Sequence, residues 1–199
     1  MQYTDLLLEQ SNTVVVDGET LGALITVTGK TALWSDRSGL PVDVTVLHYS
    51  SAVNRFPDDL FSLGKVLSIF CEYGVSSHFI IDREGGVFRL VPLEKKAWHC
   101  GGSVMPEPDN RQGVNDFSVG IELLATAESG FTDRQYAALL ELCIANEEAL
   151  GQAMRYVGHD AIAGERAVVL GLRQDCKIDP GPLFDWRRFS ETLLSCRKP

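Results

Sequence analysis

The segment VDVTVLHY, at residues 42–49, constrains the fold of this chain more than any other segment. Apolar and polar residues alternate along most of it, and it is rich in β-branched side chains, which is typical of a β-strand. The pattern predicts a strand that ends at His48. A second segment, DFSVGIELL at residues 116–124, predicts another strand. SHFIID and VFRLVP flank the turn sequence REGG and predict a hairpin, so we expect the chain to fold around a sheet.

A helix is predicted after the first of these strands. Pro57 is a favoured first helical residue, and Asp58 and Asp59 then lie in the first turn, where negative charge is stabilising. The apolar residues that follow have helical spacing and predict a buried stripe. The stripe consists of Leu60, Leu63, Leu67 and Phe70.

Further patterns predict elements at both ends of the chain. Thr132 and Gln135 have the spacing of a capping box that begins a helix. The segment LFDWRRFSETLLS, at residues 183–195, predicts a last helix. TVVVDG and ALITVTG, within residues 13–29, predict two short strands. The helix that begins near Thr132 is predicted to bury Tyr136, Leu139, Leu140 and Cys143.

Composition and charge are those of one globular domain. Of the 199 residues, 45% are apolar and 23% are charged, which suits one packed core with a solvated surface. The elements above then predict a single α/β domain over residues 1–199, a sheet covered by helices. Residues 100–115, rich in Gly, Pro and Asn, predict a long ordered loop of the kind that forms binding walls. The net charge of −9 argues against a nucleic-acid partner, because phosphate binding requires clustered Lys and Arg.

The N-terminal sequence and the cysteines bear on location. MQYTDLLLEQSN contains a short apolar run without a basic leader, so no signal peptide is predicted. No segment has the length of a membrane span. The five cysteines are odd in number and lack CxxC spacing, which favours a reduced compartment. These features predict a cytoplasmic protein, although a phage endolysin or an effector secreted by a dedicated machine would share them.

Two histidines and an aspartate are candidate metal ligands. His48 ends a predicted strand, His159 follows Gly158 at a predicted turn, and Asp179 lies in the segment DCKIDPGP. Two histidines, one carboxylate and an open fourth position form a common catalytic zinc set. Separations of 111 and then 20 residues carry no local signature, however. From spacing alone, both a metal site and unrelated polar residues stay open, and so does Cys176 as a ligand.

Two other charged residues have a functional and a plain interpretation. Glu122 lies on a mostly apolar strand, where a carboxylate must be paired, exposed at an edge or functional. Lys177 is two residues from Asp179, and such neighbours commonly form an exposed ion pair. The residues alone do not decide between these interpretations.

Five fragments occur in this order along the chain: VLHYSSA, VSSHFIIDREGGVFRLVPLEKKAWHCG, NDFSVGIELLATAESGFTDRQY, GHDAIA and KIDPGPLFDWRRF. Together they closely resemble the zinc-dependent N-acetylmuramoyl-L-alanine amidases of the amidase-2 type, the family that includes the peptidoglycan recognition proteins. The resemblance covers residues 42–190 and leaves residues 1–40 outside it as an N-terminal β extension. It implies one domain with a central mixed β-sheet covered by helices.

The resemblance implies a Zn²⁺ site and a reaction. His48, His159 and Asp179 match the zinc ligands of the family, and Cys176 is out of register with them. Glu122 and Lys177 match the catalytic glutamate and lysine. The implied reaction is hydrolysis of the amide between the lactyl group of N-acetylmuramic acid and L-alanine. Glu122 would move the protons, and Lys177 would stabilise the oxyanion.

The resemblance also implies a muropeptide or peptidoglycan substrate and residues that contact it. Trp98 and His99 match a segment that lines the groove of the family, and Tyr49 follows the first ligand. Arg111 lies in the predicted loop at residues 100–115 and is expected to contact a peptide carboxylate. His78 matches a recurrent histidine that is expected in the core or behind the ligands.

One departure from the family pattern limits the inference. Residues 164–176 form an insertion that brings Glu165, Arg166 and Arg173 towards the expected metal. The insertion is expected either to form an extra groove wall or to cover the site, so substrate preference cannot be copied from relatives. No pattern in the sequence reports the oligomeric state.

Two rival functions use the same residues differently. A peptidoglycan-binding protein without activity would usually lack part of the ligand set. A cysteine hydrolase would pair Cys100 or Cys176 with a histidine. We expect no pair between Cys100 and His99, because adjacent residues of an extended chain point in opposite directions.

Overall fold

The computed structural model describes residues 1–8, 13–16, 19–22 and 33–197, and for residues 13–16 and 19–22 it describes the backbone alone. The α-helices within these ranges are α1 (Leu63–Tyr73), α2 (Asp133–Leu150), α3 (His159–Ile162), α4 (Glu165–Val169) and α5 (Trp186–Cys196). The strands within them are β1 (Thr4–Asp5), β2 (Thr13–Val16), β3 (Glu19–Gly22), β4 (Trp34–Asp36), β5 (Val44–Ser50), β6 (Phe79–Ile81), β7 (Val87–Arg89), β8 (Lys95–Ala97), β9 (Ser118–Leu124) and β10 (Arg155–Gly158).

A six-stranded mixed sheet forms the centre of the fold, as expected. Its strand order is β1-β7-β6-β9-β5-β10. The β6–β7 hairpin is antiparallel, and the other four pairings are parallel. Two small antiparallel pairs, β2–β3 and β4–β8, accompany it. Strands β5 and β9 are central, so their side chains face covered surfaces on both sides.

Helices cover both faces of this sheet. On one face, Ile121 of β9 packs in a cluster with Leu139 of α2 and Phe189 of α5. On the other face, Ile80 of β6 packs in a cluster with Leu67 of α1. Because side chains alternate along a strand, the residues of β9 on either side of Ile121 point away from α2. Glu122 is therefore directed to the α1 side.

The first predicted helix begins later than expected. Helix α1 begins at Leu63 and not near Pro57, because the Ser62 side chain accepts a hydrogen bond from the Lys65 N–H and forms the N-cap. The segment from Pro57 forms turns instead. Leu67 and Phe70 of the predicted stripe are buried. The helix ends at Gly74, whose φ of 61° is the left-handed conformation that favours glycine.

The two C-terminal helices follow the predictions more closely. The capping box is confirmed, because the Gln135 N–H donates to Thr132 Oγ1 at 3.1 Å and the Thr132 N–H donates to Gln135 Oε1 at 3.0 Å. Such a cap stabilises a helix by about 1 kcal/mol. Helix α5 begins at Trp186 and not at residue 183, because Asp185 is its N-cap. Tyr136, Leu139 and Cys143 are buried as predicted, and Leu140 is half-buried.

Two predictions for the strands need correction. Strand β5 does not end at His48 but continues to Ser50, because it pairs with β9 as far as Leu124. The strand predicted from TVVVDG is β2, and its partner is β3. The segment ALITVTG lies outside the described residues. Strand β1, which was not predicted, joins the sheet edge beside β7. The division of the chain into residues 1–40 and an amidase domain stays a prediction.

The helices also bear on membrane crossing. Among the residues that the structure describes, no helix combines the length and the apolar character needed to span a bilayer.

Candidate active site

Neighbouring parallel strands bring His48 and Glu122 together. The two residues are register partners in the β5–β9 pairing, so their side chains leave the sheet on the same face. Ser50, two residues after His48, lies on that face too, and its Oγ donates a hydrogen bond of 2.5 Å to Glu122 Oε2. Ser50 was not predicted, because the strand was expected to end at His48.

His159 and Asp179 reach the same point from the chain beyond β10. Strand β10 runs parallel to β5, and His159 directly follows its last residue. The Asp160 N–H donates to the Asp179 carbonyl oxygen at 2.8 Å and fixes the loop. Asp179 Oδ2 lies 3.0 Å from His48 Nδ1 and 3.1 Å from His159 Nδ1. The three predicted metal ligands therefore converge.

The donor atoms of this cluster fit a cation. His159 Nε2 lies 3.2 Å from the Cys100 carbonyl oxygen, which only accepts, so Nε2 carries a proton. Nδ1 is then the nitrogen that can bind a metal, and it faces Asp179. Burial, followed by the charge of His159, lowers the pKa of His48 to about 4, which keeps this ring neutral as a ligand must be. Two imidazole nitrogens and one carboxylate oxygen match a catalytic zinc set.

Glu122 is poised for proton transfer. Its side chain is only 7% exposed. Burial, followed by the negative charge of Asp179, raises its pKa to about 8, and the Ser50 hydrogen bond and the charge of Lys177 oppose the rise. A carboxyl group with a pKa near neutrality can both accept and return a proton.

A cleft of about 190 Å³ lies over these groups, and its wall includes Glu122, Lys177 and the three candidate ligands. Tyr49, Trp98 and His99 also line it, so the structure brings these predicted contact residues to the site. A groove of about 630 Å³ shares Tyr49, Ser50 and Lys177 with the cleft. Together they are large enough for a substrate with two bulky arms.

Arg111 does not line this cleft, and its predicted contact with a peptide carboxylate stays a prediction. Its guanidinium donates two hydrogen bonds to Asp43, of 2.9 and 3.1 Å, and two to Asp109, of 2.7 and 2.8 Å. It also lies 4.0 Å from the centre of the Phe117 ring. These hydrogen bonds use four of the five guanidinium N–H groups and attach the loop to the sheet.

The expectation that the side chains of Cys100 and His99 do not pair is wrong. Cys100 Sγ lies 3.1 Å from His99 Nδ1, because the chain bends after β8 and the strand alternation no longer holds. Both residues are buried, and burial raises the pKa of the Cys100 thiol well above its usual range. A thiol of this kind is a poor nucleophile. Cys176 is exposed, and it is absent from the groups of converging ligand atoms among the described residues.

His78 lies behind the site as expected. Its Nδ1 accepts a hydrogen bond of 2.9 Å from the Gly120 N–H, and its Nε2 lies 3.0 Å from the Lys95 carbonyl oxygen. Burial, followed by the charge of Arg37, lowers its pKa to about 3, so the ring is neutral. His78 joins strands, and within the part of the chain that the structure describes it belongs to no cluster of converging metal-ligand atoms.

The insertion at residues 164–176 packs against the loop at residues 100–115. Arg166 Nη1 donates to the Met105 carbonyl oxygen at 3.0 Å, and Arg173 Nη1 donates to the Gly102 carbonyl oxygen at 3.4 Å. The cleft and the adjoining groove have no residue of the insertion in their walls. The two arginines that were expected near the metal therefore bind the backbone of this loop instead. The insertion was expected to form a groove wall or to cover the site, and it does not line either cavity.

The fold and the site together define an α/β protein with a candidate metal centre of the hydrolytic zinc type. Comparison with known proteins gives the family. The family model of N-acetylmuramoyl-L-alanine amidase matches residues 38–182, and the chain belongs to this family.

Individual relatives agree with this assignment. The 1,6-anhydro-N-acetylmuramyl-L-alanine amidase AmpD of Haemophilus influenzae is 34% identical over 173 residues, which cover 79% of this chain and 87% of that protein. AmpD of Salmonella typhimurium is 42% identical over 118 residues, or 58% of this chain and 55% of the relative. The match therefore spans about half the length of the latter. A crystal structure of an AmpD derivative superposes with a TM-score of 0.64 at 30% identity, covering 81% of this chain and 89% of the other.

Proposed function

We propose that the chain is a zinc-dependent amidase that hydrolyses the bond between the lactyl group of N-acetylmuramic acid, or its anhydro form, and L-alanine. The observation that carries the proposal is the convergence of His48, His159 and Asp179 beside Glu122. The family of the chain supplies the substrate class. The names of the AmpD relatives favour small anhydro-muropeptides over intact cell wall, and a cytoplasmic location stays a prediction.

The groups of the cleft suit amide hydrolysis. Zinc, when bound by the two histidines and Asp179, would act as a Lewis acid that makes water nucleophilic near neutral pH. Glu122 takes a proton from the attacking water and delivers it to the leaving amine, because its buried carboxylate lies beside the candidate ligands in the same cleft. Lys177 lines the same cleft and supplies a positive charge for the developing oxyanion.

Mass spectrometry of two defined substrates tests this function. The protein is incubated with an anhydro-muropeptide and with intact sacculi, each with a chelator and after zinc is added back. We expect free stem peptide that begins with L-alanine, formed only with zinc and faster from the anhydro-muropeptide. Faster release from sacculi would reverse the substrate preference. No release by a protein that binds one equivalent of zinc would contradict the amidase and indicate a binding protein.

A cysteine hydrolase is the remaining rival, since His99 and Cys100 do lie in contact. It requires an accessible thiolate, whereas Cys100 is buried and its pKa is raised. The same assay separates the two functions. A cysteine hydrolase would lose its activity on thiol alkylation and keep it in the presence of chelators. We expect the reverse, activity that survives alkylation and is lost with a chelator.

A further inference from the structure

The two candidate histidine ligands are held from behind by groups of different kinds. His159 Nε2 faces the Cys100 carbonyl oxygen at 3.2 Å, and a carbonyl can only accept a hydrogen bond. His48 Nε2 faces His99 Nδ1 at 3.1 Å, and an imidazole nitrogen accepts or donates according to its tautomer. The proton of His159 is therefore fixed by its partner, whereas the proton of His48 depends on His99.

The ring of His99 is held from several directions. Its backbone N–H donates to Asn115 Oδ1 at 3.2 Å. Its Nε2 lies 3.3 Å from Ser118 Oγ. The ring lies directly on Gly120, where a Cβ atom would be 2.6 Å from the ring Cγ and Nδ1 atoms. His99 was expected to line the groove, and it does form part of the cleft wall. Only 9% of the residue is exposed, however, and its Nδ1 faces His48, so it chiefly supports His48.

We infer that His99 is a positioning residue that presents the Nδ1 lone pair of His48 to the metal, and that the hydrogen-bond chain Ser118–His99–His48 reverses its direction when the metal leaves. The inference rests on the proposed zinc site.

The contacts between these side chains allow both directions of the chain. With the metal bound, His48 Nε2–H donates to His99 Nδ1, and His99 Nε2–H donates to Ser118 Oγ. Without it, His48 Nδ1–H donates to Asp179, His99 Nδ1–H donates to His48 Nε2, and the Ser118 hydroxyl donates to His99 Nε2. The reversal is possible because a serine hydroxyl both donates and accepts. Each of the three groups carries one proton in both arrangements, so the chain releases no net proton.

Cys100 offers a competing arrangement. Its Sγ also lies 3.1 Å from His99 Nδ1, which has a single lone pair. If the thiol were the true partner of His99, the contact with His48 would be incidental. Cys100→Ala is therefore the matched control, because it removes a neighbour of His99 Nδ1 without touching His48.

Zinc affinity is the first readout, measured by competition with a chromophoric chelator. We expect His99→Leu to weaken zinc binding about 10–100-fold, the usual cost of losing a group that orients a ligand. His99→Asn retains an acceptor near the position of Nδ1 and should restore most of the affinity, and Cys100→Ala should bind as the wild type does. Wild-type affinity in His99→Leu, or an equal loss in Cys100→Ala, would overturn the inference. Ser118→Ala gives a second, milder test if His99→Leu does not fold.

Histidine tautomers are the second readout, and they need no activity and no variant. The chain has only 4 histidines, so long-range ¹H–¹⁵N correlation spectra are simple to assign. We expect His48 and His99 to change from Nδ1–H to Nε2–H on zinc binding, while His159 remains Nε2–H. An unchanged His48 would reject the reversal. If the wild type bound no zinc, the proposed function would lose its metal, yet the metal-free spectrum would still decide whether His99 carries its proton on Nδ1.

Discussion

The two halves of the site are built by different means. His48 and Glu122 are register partners on central strands, and both are buried. Lys177 and Asp179 lie in the loop before α5, which backbone hydrogen bonds from the Lys177 N–H to Ala163 and from the Asp160 N–H to Asp179 attach to α3. The sheet half is thus fixed by the whole strand pairing, whereas the loop half depends on a few contacts.

The comparison has a chemical side as well. The sheet half contains groups whose pKa values burial moves far from the usual ones, as for His48 and Glu122. The loop half supplies charge near solvent, since Lys177 is exposed. We expect changes in the loop half to affect metal binding and charge, and a change at Glu122 of the sheet half to affect proton transfer.

Asp179→Ala should have the largest effect. It removes the one ligand that comes from the loop half, so bound zinc and amidase activity should both fall to the level of the chelated protein. Metal content by mass spectrometry and the muropeptide assay measure the two losses. Asp175→Ala removes an exposed carboxylate of the same loop and is the control. Normal zinc content in Asp179→Ala would reject the ligand assignment.

Glu122→Gln should have the next largest effect and should leave the metal in place. Loss of a general acid–base typically costs about 10²–10⁴-fold in rate. We expect kcat to fall by this factor while zinc content and KM change little, because Gln keeps the shape and can accept the Ser50 hydrogen bond. Near-native kcat would remove Glu122 from the proton-transfer role.

The same variant should change the pH dependence of stability in the metal-free protein. The pKa of Glu122 is about 8 in the folded chain and about 4.3 in an unfolded one. Between these values the folded state keeps a proton that the unfolded state has lost, so this group lowers the free energy of unfolding as pH rises. Urea unfolding of chelated protein should show Glu122→Gln gaining stability over wild type from about pH 5 to about pH 8. A difference that does not depend on pH would show that the folded pKa is not raised.

Arg111→Met should have the smallest effect on catalysis. The residue belongs to neither half of the site, and its partners are Asp43 and Asp109. We expect unchanged kcat and KM with a loss of about 0.5–3 kcal/mol in the free energy of unfolding, because two carboxylates lose their shared partner. A raised KM for substrates with a free peptide carboxylate would support the predicted contact of Arg111.

The same contrast explains what the sequence could predict. Strands β5 and β9 and the capping box of α2 depend on residues close together in the sequence, and the structure confirms these predictions. The prediction placed the start of α1 near Pro57, whereas the side chain of Ser62 caps the helix and it begins at Leu63. Strand alternation failed at Cys100, where the chain has left β8.

Long-range partners explain the rest. His159 and Asp179 join His48 across long separations, so only the family resemblance indicated the set. The ion pair of Arg111 with Asp43 was not predicted, because the two residues are 68 residues apart in the sequence. Ser118 and Ser50 carry no local signature, although Ser50 shares a strand face with His48.

Gly120 also gives a consequence for the interpretation of natural variants. It contributes no functional group, yet the ring of His99 occupies the space where any larger side chain would begin. A Gly120→Ala allele would therefore behave like a lesion of the metal centre in a genetic screen. A method that ranks variants by the loss of a functional side chain would score it as harmless.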